Sequence, residues 1–220
     1  MHWLSSPLDR LRDGAREYAD RGWRVAPAHY LSIPGRHRRN AKRRPLGDTC
    51  SCRDLRCPRP GAHPLSPRWA IDGTTDAGTI EYWWGGPQPW NITLPTGELF
   101  DVWRAPVDVA GRALESLRAS AAEVGPVAHT PSGEWLFFTA ARLGDEPLEV
   151  PAGLPVTYHG PDDYVLAPPS QQAGSGMRWW RAPDPADHRL PRWEPIAEAL
   201  LRLARQRRAG PTVVPMPRAG

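Results

Sequence analysis

The chain has 220 residues, of which 40% are hydrophobic, 9% aromatic and 24% charged, with a net charge of +4. That composition fits globular folding as one large domain or two small ones. Three cysteines are too few to staple a chain of this size, no apolar run approaches the ~18–20 residues of a membrane span, and the N-terminus has no signal-peptide pattern. A disulfide framework is excluded, and the chain is expected in the cytoplasm with no membrane partner.

The predicted elements begin with a helix. Ser5-Ser6-Pro7 supplies the cap and first turn, and Leu8, Leu11, Ala15, Tyr18 and Ala19 recur at helical spacing until Gly22. Trp23 to Pro27 follows as a short strand, and residues 30–68 read as irregular. Thr75-Asp76 caps a short helix through Ile80 and Trp83-Trp84. Asn91 to Leu94 and Leu99 to Val102 read as two strands around a Thr96-Gly97 turn. Residues 107–123 have helical spacing, and Val127-Ala128 with Trp135 to Phe138 reads as a hairpin about Pro131-Ser132-Gly133. Tyr164 to Leu166 and Met177 to Arg181 are two more strands. A last helix carries Trp193, Ile196, Leu200 and Leu203, and the Pro/Gly/Arg tail over 209–220 is expected to be disordered. The order predicts an α+β fold about one central mixed sheet, as a single domain over 1–208.

All three cysteines fall within eight residues. Cys50-x-Cys52-x4-Cys57-x5-His63 offers three thiolates and an imidazole within 14 residues of a turn-rich segment, a donor set that suits tetrahedral structural zinc. His37 lies in reach as a substitute for His63. Four protein ligands leave no open position for a catalytic water, so the metal would hold the loop, about 36–66, rather than do chemistry. The alternative is three free cysteines and an unrelated histidine. Directly upstream stand Arg36, Arg38, Arg39, Lys42, Arg43 and Arg44. Such density makes either a phosphate-contacting surface or a solvated basic loop.

Several pieces in order carry a resemblance: Tyr18-Ala19-x-x-Gly22-Trp23-x-Val25-x-Pro27, the cysteine segment, Thr74-Thr75-Asp76, Ile80-x-x-Trp83-Trp84, Asn91-Ile92, Thr96-Gly97, Thr130-Pro131-Ser132-Gly133, and Asp163 through Ser170. Over residues 10 to 182 the sequence resembles the N-terminal domain of bifunctional DNA primase/polymerases, the primase-polymerase branch of the archaeo-eukaryotic primase superfamily. The resemblance implies an RNA-recognition-like core with flanking helices, a zinc-bearing loop, and template-directed nucleotide transfer using two divalent metals. Such metals need converging carboxylates.

The motifs that would supply those carboxylates are degraded. Where the family has Asp-x-Asp or Asp-x-Glu at a strand end, Phe100-Asp101-Val102-Trp103 keeps one acid, Asp101, and an indole cannot coordinate Mg²⁺. The phosphate-binding histidine after the Ser-Gly turn is absent from Ser132-Gly133-Glu134-Trp135-Leu136, which leaves Thr130, Ser132 and Gly133 as a residual nucleotide-binding turn. The third acid is absent from Val156-Thr157-Tyr158-His159-Gly160. The expected function is therefore a catalytically degenerate primase/polymerase with no catalytic residues, which retains zinc and binds nucleotide or single-stranded DNA or RNA through the arginines and exposed tryptophans. One alternative is an active enzyme that uses Mg²⁺ or Mn²⁺ on a displaced set: Asp101, Asp108 and Asp162 or Asp163. Another is a regulatory domain that docks a protein in a cleft made aromatic by Trp103, Trp135 and Tyr158. The chain carries no helicase segment, so a helicase or another replication protein is an expected partner.

Overall fold

A computed structural model describes residues 6–32, 49–144, 148–172 and 175–209. Helix α1 (Pro7–Asp20) opens on a reciprocal cap: Ser6 Oγ accepts from Asp9 N, and Asp9 Oδ2 accepts from Ser6 N, each at 3.1 Å. Leu11, Ala15 and Tyr18 form its buried stripe. The short strands β1 (Ala26–Ala28), β2 (Leu31–Ser32) and β3 (Thr49–Cys50) come next. Helix α2 (Trp69–Asp72) precedes α3 (Ala77–Trp84), which Asp76 caps by accepting from Thr79 N at 2.7 Å. Arg16 of α1 pairs with Glu81 of α3.

The remaining elements are β4 (Asn91–Pro95), β5 (Phe100–Pro106), α4 (Val107–Ala119), β6 (Val127–His129), β7 (Glu134–Ala140), β8 (Thr157–His159), β9 (Tyr164–Ala167), β10 (Gln171–Gln172), β11 (Ser175–Gly176), β12 (Arg178–Arg181) and α5 (Trp193–Ala209). The fold is mixed α+β, but the expected single mixed sheet is divided. Five strands run β12-β6-β7-β5-β8, three run β1-β4-β9, β2 pairs with β3, and β10 with β11. Every pairing among these strands is antiparallel.

The division arises at the Thr96-Gly97 turn, which does not close a hairpin. Thr96 N donates to Asp163 O at 2.9 Å and its hydroxyl to Gly160 O at 2.6 Å. These bonds hold the 95–100 crossover against the 159–164 crossover, so β4 continues beside β9 while β5 pairs with β8. Gly97, at φ +95, has no room for a side chain: a Cβ would lie 2.3 Å from Pro161 Cα.

Each face of the five-stranded sheet covers its own core. Phe100, Val102, Leu136 and Phe138 pack against α1, α3 and the three-stranded sheet. Trp103, Ala105 and Phe137 pack under α4 and α5. Helix α4 stops at Ala119, short of the expected 123, and Ala121 takes a positive φ of 53. The basic run from Arg36 to Arg44 lies outside the described residues, as does the tail beyond Ala209.

Candidate metal centre and cleft

The cysteine loop closes on itself as the sequence predicts. The ligating atoms of Cys50, Cys52, Cys57 and His63 all lie within 4.8 Å of one another, so these four residues could hold a metal ion such as zinc. The donor chemistry fits: Cys50 Sγ is 3.4 Å from His63 Nε2, and His63 Nδ1 is 3.2 Å from the Pro64 carbonyl. A carbonyl on Nδ1 fixes the tautomer that turns Nε2 toward a metal. Burial opposes ionisation of Cys50, but Cys52 and Gly61 N–H groups and the side chains of Cys52 and His63 outweigh it and hold the thiol down to about 7. Burial, reinforced by Cys52 and Cys50, pushes Cys57 up to about 11.

Asn91 fastens this loop to the sheet. Fully buried, it donates to Gly61 O at 2.8 Å and accepts from Gln171 N at 2.8 Å. Ser170 works beside it, accepting from Ile92 N at 2.8 Å. Two of the landmark residues thus act as structural ties.

The loop also delivers Arg59 and Ala62 to a cleft of about 80 Å³ between the two sheets, where Arg104, Thr130, Glu134 and His159 meet them. Arg104 Nη1 is 3.5 Å from Glu134 Oε2. His159 Nδ1 is 2.8 Å from Asp163 Oδ2. Burial alone would raise the Asp163 carboxyl, but its bond to His159, the Tyr164 N–H and the Arg59 charge hold it below the usual carboxylate range. The Arg59 guanidinium lies 5.3 Å from the Tyr164 ring centre. A larger cavity of about 410 Å³, bounded by Arg21, Glu123, Arg181 and Arg189, holds none of the candidate metal, catalytic or nucleotide-binding residues that the sequence singles out.

Of the residual turn, Thr130 lines the cleft. Its hydroxyl lies 2.8 Å from Ser132 Oγ, and Gly133 turns the chain at φ +81. Asp101 lies elsewhere. It points to the opposite face of β5, beside Trp103 and beneath the helices, with none of its surface exposed. Its Oδ2 accepts from Arg142 N and from the Tyr158 hydroxyl, each at 2.8 Å. Burial pushes its carboxyl above the usual carboxylate range against the pull of those bonds and of the Arg142 charge.

The displaced acids do not converge. Asp108, in the first turn of α4, pairs with Arg207 of α5 at 3.0 Å, Asp162 occupies a left-handed turn position, and Asp163 is bonded to His159. Nor do Trp103, Trp135 and Tyr158 make the cleft aromatic: all three face the helical layer. That expectation failed because β5 buries apolar residues on both faces. Among the tryptophan pairs, Trp84 is buried, while Trp83 and Trp179 pack partly against the core. Trp180 is 42% exposed, 5.6 Å from Trp135, with the Arg118 guanidinium 5.2 Å from its ring centre. No helix among the described residues is long and apolar enough to cross a membrane.

Sequence reasoning missed Arg59, Arg104, His159 and the bonding role of Asp163. The signal for His159 was its spacing of four from Asp163 across a strand-turn-strand, which reads only once β8 is recognised. No curated protein matches the chain. The profile of the bifunctional DNA primase/polymerase N-terminal domain matches residues 15–214, from α1 through α5, and by that match the chain belongs to the Prim-Pol family.

Proposed function

We propose that this domain has given up nucleotidyl transfer while keeping a zinc-held loop and the capacity to bind single-stranded nucleic acid. What carries the reading is the set of side chains on the cleft face of β5 and β8. Arg104 stands opposite Thr157, and His159 opposite Val102. A two-metal site needs carboxylates converging on the transferring phosphate; here β5 and β8 present cationic or neutral groups, and the nearby acids Glu134 and Asp163 are engaged by Arg104 and His159. The remnant acid, Asp101, is spent on Arg142 and Tyr158.

Zinc follows from four soft or borderline protein donors that close a tetrahedral set. Nucleic-acid binding draws on Arg36, Arg38, Arg39, Lys42, Arg43 and Arg44 in the sequence, and on Trp180 with Arg118, a surface on which a base can stack. An RNA-recognition-like core is supported by the antiparallel five-stranded sheet covered on one face by α4 and α5.

The test is template-directed primer synthesis and extension with Mg²⁺ and with Mn²⁺. The reading predicts no incorporation above background in either metal. Incorporation that needs the metal and the template would return the chain to the active class.

A further inference from the structure

We propose that the cleft between the two sheets is a phosphoryl-binding site that works without a divalent cation. This rests on the reading of the domain as one that has left two-metal chemistry, and it names what the cleft holds instead.

His159 is the anchor. It is only 8% exposed, its Nδ1 is bonded to Asp163, and its Nε2 has no partner although it lines the cleft. The bond to Asp163 holds the ring with Nε2 at the cleft, where it can meet a phosphoryl group by donating to an oxygen or accepting from a hydroxyl. Arg104 is its diagonal neighbour across the β5–β8 pair, at a spacing long side chains readily span. Glu134 engages one corner of the Arg104 guanidinium, and its buried Nε is also unpartnered. Buried polar atoms left without partners are costly and call for an explanation; a phosphoryl group in the cleft can satisfy both.

A second guanidinium arrives from another element. Arg59 lies between Cys57 and His63, so the metal-closed loop sets its position at the rim. Donors approaching from β5, β8 and the cysteine loop suit a tetrahedral anion with oxygens in several directions better than a planar carboxylate. Guanidinium groups match phosphoryl oxygens in particular. A divalent cation has no place among them: Glu134 and Asp163 are committed to Arg104 and His159, and Arg59 adds further positive charge. The cleft of about 80 Å³ accepts the phosphoryl end of a ligand and leaves the remainder outside.

The experiment is calorimetric titration of the zinc-loaded chain with sodium tripolyphosphate, dATP and deoxyadenosine, first with no added Mg²⁺ and then in excess Mg²⁺. Tripolyphosphate and dATP are expected to bind and deoxyadenosine not to, with Mg²⁺ leaving the affinity unchanged or lower. Arg104→Gln, at a partly exposed position, is expected to weaken binding about tenfold or more, the loss of a charge-assisted bond, and Arg104→Lys to recover part of it. His159→Gln should act in the same direction, with near-ultraviolet circular dichroism confirming that each variant is folded. A short 5′-phosphorylated oligonucleotide that displaces tripolyphosphate, when its 5′-hydroxyl counterpart does not, assigns the group to a strand end; displacement by dATP alone assigns it to a free nucleotide. No binding of either polyphosphate, binding that requires Mg²⁺, or an unchanged folded Arg104→Gln variant would overturn the proposal. None of these results bears on primer extension, so the two readings fail separately.

Discussion

Asp101 and Arg104 stand three residues apart on β5 and face opposite sides of the five-stranded sheet. Successive side chains of a strand alternate between faces, so an odd spacing separates them. Asp101 therefore belongs to the core beneath α4 and α5 and Arg104 to the cleft. The acid that survives in the sequence is a structural group, and a cation occupies the position that faces the cleft.

The environment of Asp101 sets a pH dependence. Its carboxyl is raised above the ordinary carboxylate range in the folded chain, so the native state holds the proton more tightly than the unfolded chain does. That contribution is fully present below the unfolded-state value and is lost as pH rises through the raised one. Asp101→Asn keeps an acceptor for Arg142 N–H and Tyr158 and supplies a donor near Thr139, its register partner, whose Oγ1 has no partner. Urea unfolding across pH is expected to lose this component in Asp101→Asn, which should match or exceed the unsubstituted protein at neutral pH. Asp101→Ala leaves a buried N–H and a hydroxyl unpaired and should cost about 1–3 kcal/mol for each.

If the four-residue cluster holds zinc, its removal should loosen one segment rather than unfold the domain. Cys57→Ser opens the four-donor set, while Asn91 still ties the loop at Gly61. Elemental analysis should find about one zinc per chain in the unsubstituted protein and almost none in the variant. Amide exchange should rise within residues 49–65 and stay unchanged in β5 and β7. Acidification should release the metal, because protons compete for the thiolates.

Trp180 is partly exposed, with the Arg118 guanidinium over its ring. Trp180→Ala should weaken single-strand binding by about 1 kcal/mol or more, roughly fivefold. Trp84→Ala removes a buried ring and should instead lower stability by about 3–5 kcal/mol. Fluorescence anisotropy and thermal unfolding on both variants separate the two roles.

The Cys50, Cys52, Cys57 and His63 cluster was legible in the sequence because its four candidate donors lie within 14 residues and a short loop can bring them together in few ways. The first helix was equally legible, since its cap and buried stripe are local. The cleft was not. Phe100 and Val102 on one face of β5, and Trp103 and Ala105 on the other, are all apolar and buried. A strand covered on both sides loses the alternation that marks its inward face, so Asp101 could not be told from a cleft residue. The single-sheet expectation failed for a related reason: Thr96-Gly97 looks like a hairpin turn, and only its bonds to Gly160 and Asp163 reveal a crossover between sheets.

The most direct test of the account is a titration of zinc-loaded protein with a fluorescent single strand over a series of salt concentrations. If all six basic residues from Arg36 to Arg44 contact phosphates, log K should fall against log salt with a slope of about −4. Replacing Arg38, Arg39 and Arg43 by alanine should reduce its magnitude by about 2. Absence of binding at low salt, or a slope near zero that the triple variant leaves unchanged, would contradict the account of a Prim-Pol domain turned from nucleotide transfer to nucleic-acid binding.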